Sequence, residues 1–90
     1  MKKAIITVLG KDKVGIISGV ANMLSDNNVN ILDISQTILQ DMFCMMMIVD
    51  IDKVNIPFAQ FTDKMAEMGN SIGMSIRAMH EDIFNSMHRI

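Results

Sequence analysis

The segment Met42 to Ile51, MFCMMMIVDI, is apolar at nearly every position and constrains the fold more than any other stretch of the chain. Its apolar run, Met42 to Val49, is far shorter than the roughly 20 residues needed to cross a membrane as a helix. Read as a strand, it alternates side chains between two faces. Phe43, Met45, Met47 and Val49 take one face, and Met42, Cys44, Met46 and Ile48 the other. Both are apolar, whereas an antiparallel sheet that met water on one side would show polar residues there. The segment therefore asks for cover on both faces. A chain of 90 residues supports one core, but at this size only about 60 to 65% of the unfolded surface is buried on folding. Burial against a second copy is a real gain for such a chain.

The remaining elements follow from period and punctuation. Lys3 to Leu9 is rich in Ile, Val and Thr and is stopped by Gly10, which reads as a first strand. Ile17, Val20, Ala21 and Leu24 recur at helical spacing, flanked by Ile16 and Met23, and predict a helix over about Val14 to Asp26. Asn27 and Asn28 can take the left-handed conformation that ends it. From Asn30 to Gln40, Leu32, Ile34 and Ile38 alternate with Asp33, Ser35 and Thr37, a half-buried strand, and Gln40 and Asp41 turn the chain into Met42 to Ile51 as a hairpin. Asn55 can cap a second helix with Pro57 in its first turn, Phe58, Phe61, Met65 and Met68 along its face, and Gly69 as its stop. Met74, Ile76 and Ala78 alternate with Ser75 and Arg77 as a fourth strand, and Ile83, Phe84, Met87 and Ile90 form a short amphipathic terminal helix. The order β-α-β-β-α-β plus a helix is the ferredoxin-like, α+β pattern, a four-stranded antiparallel sheet with two helices on one face. No linker composition interrupts it, so residues 1–90 read as one domain. The terminal helix and a second subunit are the expected covers of the open face.

Composition excludes several functions. Eight Lys+Arg against ten Asp+Glu, no Trp, no Tyr and four Phe leave neither a basic surface nor stacking platforms, so no direct contact with nucleic acid is expected. One Cys cannot close an intrachain disulfide, and eleven Met suit a reducing compartment, which points to the cytoplasm. Lys2 and Lys3 precede an apolar stretch that runs only from Ala4 to Leu9, too short for a signal-peptide core. No membrane association is expected.

The richest motif is G-K-D-K-V-G-I-I, Gly10 to Ile17, between the first strand and the first helix. It has the Gly-x4-Gly outline of a phosphate loop, but Ile16 and Ile17 stand where Lys and Ser/Thr would meet phosphate and Mg²⁺. What remains is a turn opening onto a helix N-terminus, whose N–H groups and dipole favour a carboxylate or other anion. The alternative is that Gly10 and Gly15 permit a tight turn and close packing, with Asp12 as a cap.

With N-V-N-I-L-D-I-S-Q entering the second strand, D-K-V-G-I-I opening the helix and H-E-D-I-F-N-S-M-H-R-I at the end, the whole chain resembles the ACT domain. In particular it resembles the uncharacterised prokaryotic family of single-ACT proteins (UPF0237-like). ACT domains are small regulatory ligand-binding modules of amino-acid metabolism. The resemblance implies that a ligand sits at a subunit interface, between the loop before the first helix and the start of a neighbour's second strand. Carried over, those positions are Gly10, Lys11, Asp12, Val14, Gly15 and Ile16 in the loop, with Asn28, Asn30, Ile31 and Leu32 opposite. N–H groups around Val14 to Ile16 would take an α-carboxylate, and Asp12 or Asn30 the ammonium. Many family members carry Pro or Arg-Pro between the Asp and the Gly, where this chain has Lys13 and Val14. The expectation is a homodimer or higher homo-oligomer that senses an amino acid or similar small metabolite. The alternative is a ligand-free interaction subunit that regulates an enzyme or transcription factor by protein contact.

Other chemistry-bearing residues point elsewhere. His80, Glu81, Asp82 and His88 could hold a metal only with a second subunit or with His80 beside a carboxylate, since residues eight apart on a helix are about 12 Å apart. Otherwise Glu81 and Asp82 complement a helix N-terminus, and His88 its C-terminus. Cys44, with no charge nearby in sequence, reads as an inert buried thiol. Ser18 and Ser35 lack a base at a characteristic spacing, so neither catalysis nor a cofactor is expected.

Overall fold

The computed structural model describes residues 2–11 and 15–87. Its elements are β1 (Lys3–Lys11), α1 (Ile16–Asp26), β2 (Asn30–Leu39), β3 (Met42–Asp50), α2 (Phe58–Ser71), β4 (Ser75–His80) and α3 (Glu81–Met87). The strands form one sheet in the order β2-β3-β1-β4, every neighbouring pair antiparallel. This is the expected ferredoxin-like arrangement with its short extra helix.

Register assigns the faces. Ala4, Ile6 and Val8 of β1 stand opposite Val49, Met47 and Met45 of β3, and Ile6 and Val8 stand opposite Ala78 and Ile76 of β4. Opposed residues share a face, so these side chains form the layer on which α1 and α2 lie. Val20 and Leu24 of α1 and Phe61 and Met65 of α2 complete that core, each at most 1% exposed. Each such side chain contributes about 1.5–3 kcal/mol relative to exposure. The α1 stripe is rotated from the expected one: Ile16, Val20 and Leu24 are buried, and Ile17 is 43% exposed. The helix begins at Ile16, after Gly15 turns the chain with φ 87°, and the turn delivers Ile16 onto the sheet; Val14, the expected start, lies outside the described residues.

At the other end of α1, Asn28 takes φ 58° and the Val29 N–H donates to the Leu24 carbonyl at 2.9 Å. This is the left-handed helix stop, with Asn where Gly is commoner. Two expected signals at α2 act differently. Pro57, not Asn55, occupies the N-cap position, and the Asn55 side chain instead donates to the Asp26 carbonyl at 3.0 Å, tying the end of α1 to the turn after β3. Gly69 does not stop α2, which continues to Ser71; the reversal falls at Gly73, φ 74°. Gly69 is buried, and a Cβ there would lie 2.8 Å from the Met74 carbonyl oxygen and 3.0 Å from the Ile76 nitrogen. It is a contact point between helix and strand.

The half-buried reading of the second strand is corrected. All ten residues of β2 are exposed. β2 is the sheet edge, with Ile34 opposite Met47 and Ile38 opposite Phe43, on the helix side of the sheet. α2 packs against β4 at the other edge of the sheet, and on this helix-side face Ile31, Ile34 and Ile38 are left 42, 43 and 57% exposed. A bulge at Leu32 puts Ile31 opposite Val49 and Asp33 opposite Ile48. The hairpin is as expected: Leu39 faces Met42 and Gln40 turns the chain with φ 57°.

The second sheet face carries Ile5, Thr7 and Leu9 of β1 and Met42, Cys44, Met46 and Ile48 of β3. The terminal helix α3 packs against β1 and β4 and brings Phe84 over this face. Ile5 is buried, whereas Leu9, Met42 and Met46 are each more than 40% exposed. The cover by α3 is therefore partial. Ile90 lies outside the described residues.

Candidate functional site

The loop and the strand start singled out by the sequence are at opposite ends of the sheet. Lys11 pairs with Met42, next to the β2–β3 hairpin, while Asn30 pairs with Asp50, which also faces Lys3 of β1. The nine residues of β3 separate the two ends, about 27 Å at roughly 3.4 Å per residue. Both β1 and β2 run antiparallel to β3, so they are parallel to each other and no turn within one chain brings the two ends together.

At the loop end, Gly10 and Lys11 are the last residues of β1. Gly10 lies against Met74, whose thioether sulfur a Cβ would strike. Gly15 differs: nothing lies within 4 Å of where its Cβ would be, so its left-handed φ of 87° is what requires glycine. It is the N-cap of α1, its carbonyl accepting the Gly19 N–H at 3.0 Å and the Ser18 hydroxyl at 3.1 Å. The first turn of α1 holds no acidic residue, and Gly15 offers no side chain to cap it. Ile16, 6% exposed, is a core residue and offers a ligand only its backbone. Asp12 and Val14 lie outside the described residues.

At the strand end, Asn28, Asn30, Asp50 and Lys53 line a cleft of about 290 Å³, the lower end of the size range of small-molecule sites. Its frame is tied by hydrogen bonds. The Asp50 carboxylate accepts the Asp52 N–H at 2.9 Å, the Asp52 carboxylate accepts the Lys2 N–H at 2.7 Å, and the Asn27 carbonyl accepts the Asn55 N–H at 3.2 Å. Ile31 and Leu32 follow on the exposed edge, 42 and 45% exposed. Asp50 and Lys53 were not singled out from sequence. They belong to no motif in the sequence, and only the fold sets them against Asn28 and Asn30.

A second, apolar groove of about 450 Å³ lies on the open face, lined by Thr7, Leu9, Ser35, Thr37, Met46 and Phe84 among others. Cys44 is part of it, so the thiol is half-buried rather than enclosed. His80 ends β4 and sits edge-on to the Phe58 ring at a centroid distance of 6.2 Å. Its Nδ1 accepts the Asp82 N–H at 3.3 Å. Among the described residues no three His, Cys, Asp or Glu cluster as a metal site; His88 lies outside them. Among the described residues, no helix is long and apolar enough to cross a membrane.

A split βαββαβ sheet with a glycine turn leading into its first helix defines the class, and a family profile for the ACT domain matches residues 2–78. Within that class the chain belongs to the UPF0237 family of ACT-domain proteins. It is 51% identical to a UPF0237 protein of Bifidobacterium longum and 42% identical to one of Methanocaldococcus jannaschii, over all of this chain and all of each relative. Among solved structures it is similar to an ACT domain protein from Streptococcus pneumoniae, with a TM-score of 0.81, 38% identity, and coverage of 92% of this chain and 93% of that one.

Proposed function

We propose that this protein is a regulatory module that binds an amino acid or a related small metabolite between two subunits, and that the bound ligand changes its assembly. The observation that carries the reading is the separation of the two half-sites. Gly10, Lys11 and Gly15 hold one end of the sheet, and Asn28 and Asn30 hold the other. A ligand that touches both must lie between chains. The loop half offers backbone N–H groups at an uncapped helix start to a carboxylate, and the strand half offers carboxamides. Asp12 or the Asn30 carboxamide oxygen would meet the ammonium.

The test is differential scanning calorimetry against a panel of free amino acids, since a chain without Trp or Tyr is a poor subject for intrinsic fluorescence. A ligand at 100 times its dissociation constant adds about 2.7 kcal/mol, which raises the midpoint of a domain this size by several degrees. Asp12→Ala and Asn30→Ala should each shrink that rise while leaving the ligand-free midpoint near wild type. No rise with any amino acid, the oligomer being intact, would reject ligand sensing. The second reading would then lead: an interaction subunit acting by protein contact, favoured by the exposed Leu9, Met42 and Met46 on the open face.

A further inference from the structure

The cleft at the strand end differs from the others in its charge. The open-face groove is lined by apolar and neutral side chains, and the cleft beside α2 and β4 carries the single charge of Arg77. The strand-end cleft holds one carboxylate, Asp50, one ammonium, Lys53, and two carboxamides, Asn28 and Asn30. Asp50 and Lys53 are not paired with each other: among the described residues the one basic and acidic side-chain pair within 4 Å is His80 Nδ1 and the Asp82 carboxylate, at 3.6 Å. Among the described residues neither Asp50 nor Lys53 has an ion-pair partner within 4 Å, although Lys3 stands opposite Asp50 in the register, and both line one small cleft.

The groups are also oriented. Asp50 is the last residue of β3, opposite Asn30, and its Oδ1 is held by the Asp52 N–H, which leaves Oδ2 as an acceptor. Asn28 is locked in the left-handed conformation that ends α1. The turn carrying Lys53 is tied to the end of α1 through Asn55, which bonds both Asn27 and Asp26. Hydrogen bonds to a charged group are stronger than neutral ones and reward fixed geometry.

We propose that Asp50 and Lys53 recognise the ammonium and the carboxylate of a free α-amino acid in this cleft, with Asn28 and Asn30 supplying neutral hydrogen bonds. The inference rests on the amino-acid reading above for the ligand class alone, and it places both charged ends of the ligand in this cleft rather than dividing them between the cleft and the loop end of a neighbouring subunit. It assigns the discrimination between a zwitterion and a singly charged analogue to two side chains contributed by β3 and the turn after it. A single acid would suit an amine and a single base a carboxylate. The paired charges suit a molecule that carries both.

The experiment is a titration followed by backbone amide resonances, using each common free amino acid, its carboxamide, which lacks the carboxylate, and its N-acetyl form, which lacks the ammonium. The expected result is that at least one amino acid moves the amides of Asn28, Asn30, Asp50 and Lys53, that its two blocked forms do not, and that Asp50→Asn and Lys53→Met each weaken binding about tenfold or more. Asp50→Asn keeps the Oδ1 acceptor for the Asp52 N–H, so a lost ligand response with an unchanged melting point reports recognition and not folding. Binding of equal affinity in both variants overturns the proposal, as does the absence of any response in the cleft. Shifts confined to Gly10, Lys11 and Gly15 overturn it while leaving the interface reading standing. Shifts confined to the cleft in a monomeric protein support it and reject the interface reading.

Discussion

Asn30 stands opposite Asp50 at the end of the β2–β3 ladder, so the first residue of one strand and the last of its neighbour share an edge of the same small cleft. This pairing depends on the fold: the two are twenty positions apart in sequence, and the register of the hairpin between them decides that they meet. The Gln40 turn sets the register at the far end, and the Leu32 bulge shifts it by one residue, which puts Asn30 rather than Ile31 opposite Asp50. The geometry of the candidate site therefore rests on backbone features distant from it.

Gly69→Ala should destabilise the protein. Alanine gains about 1 kcal/mol of helix propensity over glycine, but the new Cβ would sit 2.8 Å from the Met74 carbonyl oxygen, and overpacking of this kind costs about 1–3 kcal/mol. Backbone atoms cannot swing aside as a side-chain tip can, so the net change should be a loss visible as a lower melting temperature. A higher one would show that α2 and β4 have room to separate.

Gly15→Ala and Gly15→Asn separate conformation from space. Nothing lies within 4 Å of the added Cβ and φ is 87°, so Ala should lose about 1–2 kcal/mol, while Asn, which visits the left-handed region, should lose less. Equal losses in chemical denaturation would point to a steric cause instead.

Phe61→Ala should cost about 3–5 kcal/mol, a large part of the total of roughly 5–15 kcal/mol typical of a domain. Phe61 is 0% exposed and stacks with Phe58 at a centroid distance of 6.0 Å. The expected outcome is a chain with little cooperative unfolding at 25 °C. A sharp transition near the wild-type midpoint would mean that α2 collapses to refill the space.

Light scattering at micromolar concentration should give a dimer or larger mass, and Met46→Lys should reduce it. Met46 stands on the open sheet face and is 42% exposed. Ile34→Lys, on the β2 edge at 43% exposure, is the comparison: it should leave the mass unchanged if subunits meet through the sheet face. The reverse pattern would move the interface to the edge strand, and a monomer mass for the wild type would remove the inter-subunit site altogether.

Much of the architecture was legible because it rests on local period and turn chemistry. The two-sided apolar run of β3, the Phe58, Phe61, Met65, Met68 row of α2 and the Asn27–Asn28 stop of α1 each describe themselves within a few residues. Where reading failed, the deciding contact was distant. Gly69 looks like a helix stop until Met74 and Ile76 are seen pressed against it. Asn55 looks like a cap until its side chain is found on Asp26. β2 alternates like a half-buried strand, yet nothing local records that it forms an edge of the sheet whose apolar side chains stay exposed. The loop half of the candidate site was visible as a motif of glycines. The cleft half was not, since Asp50 and Lys53 belong to no motif and acquire meaning only from what folds against them.

β1 and β2 run parallel with β3 between them, and this arrangement has a consequence for signalling. On the proposed reading no single copy possesses a finished pocket, so the dissociation constant belongs to a pair. Dilution then weakens the apparent affinity for the metabolite, and synthesis of more protein sharpens it. A cell holding the protein below its own assembly concentration would be blind to the metabolite at any dose short of one that drives pairing, so expression level would tune the threshold.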